Sequence, residues 1–319
     1  MSTVRRATLI LPILLTGLLY SVPASAQVDF TGVWNGNTNA EDGPERAAGP
    51  SLVEFMGLPI NDQARQWGLA YRPGRLSLTE HQCQVHVVHY IHRGPFAARI
   101  WEERDPVTHQ LIAIHEAIGT YEQERTIWMD GRPHPSANAP HTSGGFTTGV
   151  WEGDTLTTYT THIKAGMIRR NGAPLSDQAT MTMHFTRHGD LLTARAILQD
   201  PVYLSEPYVR SRVWQLDPAA NFGNGLAAPC EPIDELPRAG TGDVFPHYLP
   251  GRNPFVNELT RYYNLPQEAV LGGAHTMYPE FRKKLTGYQP PSVCTRYCGC
   301  GGLGVACITD GSGVPQGGR

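Results

Sequence analysis

The chain has 319 residues with 34 Gly, 26 Pro and a formal net charge of −3. That balance excludes the basic footprint of a nucleic-acid binder, and the frequent Gly and Pro exclude an architecture of long uninterrupted helices. The length accommodates one large domain, or one domain with a substantial extension.

The N-terminus reads as an export signal. Arg5 and Arg6 form a charged start, Leu9–Leu19 is an apolar run, and Ala24-Ser25-Ala26 supplies the small residues that signal peptidase reads. The run falls short of the roughly 20 residues of a spanning helix, and no other stretch is long and apolar enough. The expectation is a signal peptide over residues 1–26, with Gln27 opening an exported protein, periplasmic or secreted and without a membrane span.

Strand patterns dominate the chain from Asp29 to Leu216. Asp29-Phe30-Thr31-Gly32-Val33-Trp34 places a Gly-x-Trp on a first strand, as at the start of lipocalin-like barrels. Residues 61–70 form a short helix with Asn61 as its N-cap. From Gln82 the period is two: Val85, Val87, His89 and Ile91 on one face, His86, Val88, Tyr90 and His92 on the other. Further strands are expected at Ala97–Glu103, Gln110–Ile118 and Tyr121–Met129. Asp130-Gly131 then makes a turn, and Pro133, Pro135 and Pro140 keep the next segment out of a sheet interior.

Two hairpins stand out. Gly153-Asp154 joins Phe146–Glu152 to Thr155–Ile163, which pairs Trp151 with Leu156 and puts Thr158, Thr160 and His162 on that same face. Gly189-Asp190 joins Gln178–His188 to Leu191–Leu198 and gathers Met181, Met183, Phe185, Leu192, Ala194, Ala196 and Leu198 on one side. With Tyr208–Leu216 these form a meander without βαβ alternation. Such a meander closes economically as an antiparallel up-and-down barrel over residues 27–217. Residues 218–319 are an irregular, partly helical extension ending in a Cys- and Gly-rich tail.

Six cysteines in an exported chain read as disulfides. Cys83 and Cys230 would tie the extension to the barrel, and Cys294, Cys298, Cys300 and Cys307 would pair among themselves. A thiolate metal site is the alternative for the tail, although its spacing matches neither the usual zinc pattern nor a ferredoxin run.

The chemistry concentrates between Arg125 and Ile163. His134 and His141 sit in a Pro-restrained loop after Asp130 and Arg132, and His162 ends the partner strand. Restrained rim loops often carry functional groups. The catalytic candidates are His134, His141, His162, Asp130 and Asp177, an aspartate fixing the tautomer of a histidine base. The substrate-binding candidates are Arg132, Arg169, Arg170 and Tyr159, since a guanidinium binds a carboxylate in bidentate fashion. Against each stands a structural role: solvated histidines, a self-capped turn at Asp130, ordinary ion pairs for the arginines.

There is no Gly-x-Ser-x-Gly elbow, P-loop, Rossmann fingerprint or His-Glu-x-x-His. The segments ERTIWMDGRPHP, TTGVWEGDTL, RRNGAPLSDQATMTMHFTRHGD and LGGAHTMYPEF together resemble a family of exported bacterial proteins that is usually left uncharacterised, over about residues 29–285. The resemblance implies a lipocalin-like β-barrel with a C-terminal extension. It brings no activity and does not include the cysteines after Val293.

The sequence thus points to a cofactor-independent enzyme of lyase or hydratase type, with hydrolase chemistry also compatible. It would act by His/Asp acid–base catalysis on a hydrophobic or aromatic small molecule, carboxylate-bearing, inside the barrel. The alternatives are a periplasmic carrier without turnover and a metalloprotein holding zinc or another divalent metal on His134, His141 and His162.

Overall fold

The computed structural model describes residues 28–36, 53–72, 87–89, 97–118, 123–169, 171–219, 247–257, 260 and 265–285. The expected signal peptide, all six cysteines, Arg170, His86 and His92 lie outside these residues, and so do the disulfides expected of the cysteines.

The all-β barrel is present. Its strands are β1 (Gly32–Gly36), β2 (Ala98–Arg104), β3 (Leu111–Ile118), β4 (Gln123–Trp128), β5 (Phe146–Glu152), β6 (Thr155–Thr161), β9 (Thr180–His188), β10 (Leu191–Gln199) and β11 (Tyr208–Leu216). They close in the order β1-β11-β10-β9-β6-β5-β4-β3-β2, and the short hairpin of β7 (Gly166–Arg169) and β8 (Ala173–Leu175) stands apart from the ring. Closure leaves no terminal strand edge, because β1 pairs with β2 on one side and β11 on the other.

Period-two patterning decides what fills the barrel. Met181, Met183 and Phe185 of β9 oppose Leu198, Ala196 and Ala194 of β10, and all six are buried. Trp151 opposes Leu156, with Thr158 and Thr160 in phase and buried. Trp34, wholly buried, donates its indole N–H to Phe30 O at 2.8 Å. A buried indole needs such a partner, and the carbonyl four residues earlier supplies it.

Helix α1 (Asp62–Ala70) starts as its N-cap predicts: Asn61 Oδ1 accepts from Ala64 N at 3.0 Å. Beyond the barrel, α2 (Gln267–Val270), a 3₁₀ turn over Ala274–Met277 and α3 (Pro279–Arg282) form the helical part of the extension. It is tied to the segment before α1 by Phe55 N→Val270 O (2.8 Å) and Gly57 N→Thr276 Oγ1 (2.8 Å).

Two local expectations change. Val87, Val88 and His89 lie in a buried 3₁₀ turn, not a strand; His89 Nε2 is 2.9 Å from Ile168 O on β7. In a helical turn side chains do not alternate between two faces, and all three of these are buried. The meander is also not antiparallel throughout. β4 and β5 pair in parallel, through Ile127↔Thr147 and Trp128↔Thr148. The connecting loop returns to the wall near the end of β4, so β5 starts beside that end and runs on past it.

Candidate functional site

The loop between β4 and β5 leaves the wall after Trp128. Asp130 accepts the Arg132 backbone N–H (3.2 Å) and binds its guanidinium through both oxygens, Nε at 2.9 and 3.0 Å and Nη2 at 2.5 Å. The guanidinium carbon lies 3.4 Å from the centroid of the Trp128 ring. Arg132 therefore holds the Asp130 carboxyl below its ordinary range. The anticipated Asp–His pair is not formed, because Asp130 is engaged by its own loop.

Two residues beyond Arg132, the loop lays His134 against the outside of the barrel. Thr147 and Gly149 face the core, so Thr148 faces out, and so do Tyr159 and Thr161 of β6. His134 Nε2 is 2.9 Å from Thr148 Oγ1 and Nδ1 is 2.7 Å from Thr161 Oγ1. Its ring meets Phe146 edge-on (centroids 5.0 Å apart) and Tyr159 at 5.3 Å.

His162 reaches the same place by a backbone exception. Its φ is +55°, which ends the alternation of β6. In regular phase it would face the core with Thr160. Instead its Nδ1 is 2.7 Å from Thr161 Oγ1 and its Nε2 2.9 Å from Ser136 O. The ring of His141 lies 5.2 Å from that of His162, with Nδ1 3.0 Å from Ile163 O. The three histidines do converge, but on the outer wall and around Thr161, not in the lumen. Burial, then the nearby His162, lowers the His134 pKa below its ordinary 6.5, which favours the neutral imidazole.

The other candidates fall elsewhere. Arg169 pairs with Glu54 (3.3 Å), and Asp177 is exposed beside Ser176, which is anchored by Asp200 (Oγ–Oδ1 2.7 Å). Neither joins the histidine cluster. Tyr159 does, through its ring.

Among the described residues no group of three His, Cys, Asp or Glu side chains is arranged to hold a metal ion. Both nitrogens of His134 and of His162 already face oxygen atoms, so a shared ion would have to displace those bonds.

Two spaces adjoin this region. Where the β4–β5 loop departs, β3 and β5 flank a cleft of about 400 Å³ lined by Arg104, Gln110, Leu111, Met129, Val150 and Trp151. This is within the usual size of small-molecule sites. Val150 follows Thr148 on the outer face, two residues or about 7 Å along the strand. In the lumen, the space beside His89, Ala194 and Ala196 is only about 10 Å³, room for one water. Elsewhere in the lumen Arg125 binds Glu116 at 2.5 Å, both almost fully buried, and donates to Met183 Sδ at 3.4 Å.

The sequence reading missed Thr148, Thr161, the cleft and the Glu116–Arg125 pair. The pair could have been found, since Glu116 is in phase with core-facing Ile114, and Arg125 with Ile127. The threonines could not, because a strand threonine carries no signal of its partner.

Comparison with protein-family models, curated proteins and solved structures finds no match. The site's chemistry therefore rests on its geometry.

Proposed function

We propose that the protein is an exported, cofactor-independent acid–base enzyme of lyase or hydratase type. Its substrate is a small hydrophobic or aromatic molecule bearing a carboxylate, held in the wall cleft between β3 and β5. Trp151, Met129, Leu111 and Val150 supply apolar walls; Arg104 lines the same cleft but is held by Glu102 (2.7 Å) and by its bond to His109 O (3.0 Å), so a substrate carboxylate would displace Glu102 from it. His134 is the base, reaching the cleft edge through the Thr148 hydroxyl.

The observation that carries this reading is a part-buried histidine, hydrogen-bonded on both nitrogens, whose partner Thr148 directly precedes Gly149 in the lining of a cleft of ligand size. A base must be unprotonated at working pH and within one hydrogen-bonded group of its proton. The resemblance to exported bacterial proteins and the leader-like N-terminus support a periplasmic or secreted location.

The same cleft would serve a carrier, which is the second reading. A panel of aryl and alkyl carboxylates, screened by thermal stabilisation and then by NMR for product formation, separates the two. The enzyme reading expects stabilisation and product with the native chain, and stabilisation alone with His134→Gln. Stabilisation without product in the native chain would make it a carrier.

A further inference from the structure

The four side chains Thr148, His134, Thr161 and His162 form one unbroken line of hydrogen bonds, and its two ends differ in kind. At one end His162 Nε2 faces the carbonyl oxygen of Ser136, 2.9 Å away. A carbonyl only accepts, so Nε2 carries a proton and donates it. In neutral His162 the other nitrogen, Nδ1, is then a bare lone pair facing Thr161 Oγ1 at 2.7 Å. Two lone pairs cannot sit at that distance, so Thr161 donates its hydroxyl proton to Nδ1.

Thr161 has one proton, and it is now used. The contact from His134 Nδ1 to Thr161 Oγ1, also 2.7 Å, must therefore be a donation by His134. That fixes His134 as the Nδ1–H tautomer, leaving Nε2 to accept from the Thr148 hydroxyl at 2.9 Å. One carbonyl thus sets the sense of every bond back to the cleft edge.

We infer that this line is a proton relay with Thr161 as its switch, and that it passes charge to His162 while leaving His134 neutral. The inference rests on the acid–base function proposed for this site and adds how the site handles the proton. A proton leaving the substrate goes to Thr148 Oγ1 as the Thr148 proton passes to His134 Nε2. The proton on His134 Nδ1 goes to Thr161 Oγ1, and the Thr161 proton goes to His162 Nδ1.

Every hydrogen bond between these four side chains survives with its direction reversed. His134 has changed tautomer without a net gain of a proton, and the positive charge sits on half-buried His162, where water can remove it. Retaining the cation on His134 is disfavoured by the same burial that keeps it neutral.

The surroundings suit such a switch. On the packed elements, Asp130 and Arg132 neutralise one another; Tyr159, Lys164 and His141 are titratable neighbours, and further along the outer face Glu152 and His184 are both bound to Thr157, at 2.6 and 3.0 Å. The described histidine that is ion-paired with carboxylates is His115, on β3. Neither His134 nor His162 has a described carboxylate partner to fix its charge.

The test is a pH titration of the full chain, reading the imidazole nitrogens of His134 and His162 by ¹H–¹⁵N NMR without any substrate. At high pH His134 should be the Nδ1–H tautomer, which an unconstrained imidazole disfavours. As His162 becomes protonated, His134 should convert to Nε2–H in the same step. Thr161→Val should abolish that coupling, and Thr161→Ser should restore it.

A His134 that is Nε2–H at high pH would overturn the relay. So would one that keeps its tautomer as His162 titrates, or a coupling unchanged in Thr161→Val. The two proposals fail separately. Coupling without any turnover leaves the relay and sinks the enzyme. Turnover lost in His134→Gln without coupling does the reverse.

Discussion

Arg125 and Glu116 face each other across β3 and β4 with almost no exposure. Burial raises the Glu116 pKa, against the pull of the guanidinium. Removing one partner strands a charge in the core, so Arg125→Met should destabilise by about 3–5 kcal/mol in urea titrations. Replacing both, Glu116→Gln with Arg125→Met, should recover much of that loss. A carboxyl whose folded pKa is raised contributes stability below its ordinary 4.5 that is lost as pH rises through the folded value. Arg125→Met should therefore lose stability more steeply with rising pH than the native chain. His134 behaves oppositely. Its folded pKa is lowered, so its contribution is present above 6.5 and lost as pH falls through the folded value. His134→Gln should flatten that part of a stability–pH curve measured by thermal melts.

At the scale of elements, local signals were legible and long-range ones were not. The Gly153-Asp154 and Gly189-Asp190 turns fix register within a few residues, so Trp151↔Leu156 and the buried face of β9 and β10 follow from counting. Strand direction leaves no such trace. The patterns of β4 and β5 are the same whether they run parallel or antiparallel, and the pairing was settled by the loop between them. His162 was placed inward by alternation, which a single positive φ defeats. The Asn61 cap was legible, whereas the short β7–β8 hairpin was not, its strands being too brief to show a period. The return of the loop depends on Gly145, at φ +66°. A Cβ there would stand 2.6 Å from Thr160 Cγ2 and 2.7 Å from Thr161 O. Gly145→Ala should cost at least about 1–2 kcal/mol from backbone handedness alone. The same change should alter the His134 and His162 signals, because it displaces the backbone carrying Thr161.

For the molecule as a whole, ring closure joins distant parts of the sequence: β1 reaches β11 through Trp34↔Leu216 and Gly36↔Trp214. Trp34 is wholly buried at that junction, and Trp34→Ala should cost about 3–5 kcal/mol in chemical denaturation. The barrel was legible because each strand of the ring patterns independently. The cleft was not, since it arises where two strands stop being neighbours. The joints of the ring are far from equal. β9 and β10 are matched over nine residue pairs, β4 and β5 over two. The two joints of β1 have three pairs each, so the parallel β4–β5 joint is the shortest in the ring. Fluctuation should concentrate there, so amides of β5 beyond Thr148 should exchange with deuterium faster than those of β9 or β10. When the ring yields it should unroll along that joint into an open sheet with β1 near its middle. A molecule too large for the resting cleft would then have a lateral way in, beside the Thr148 hydroxyl.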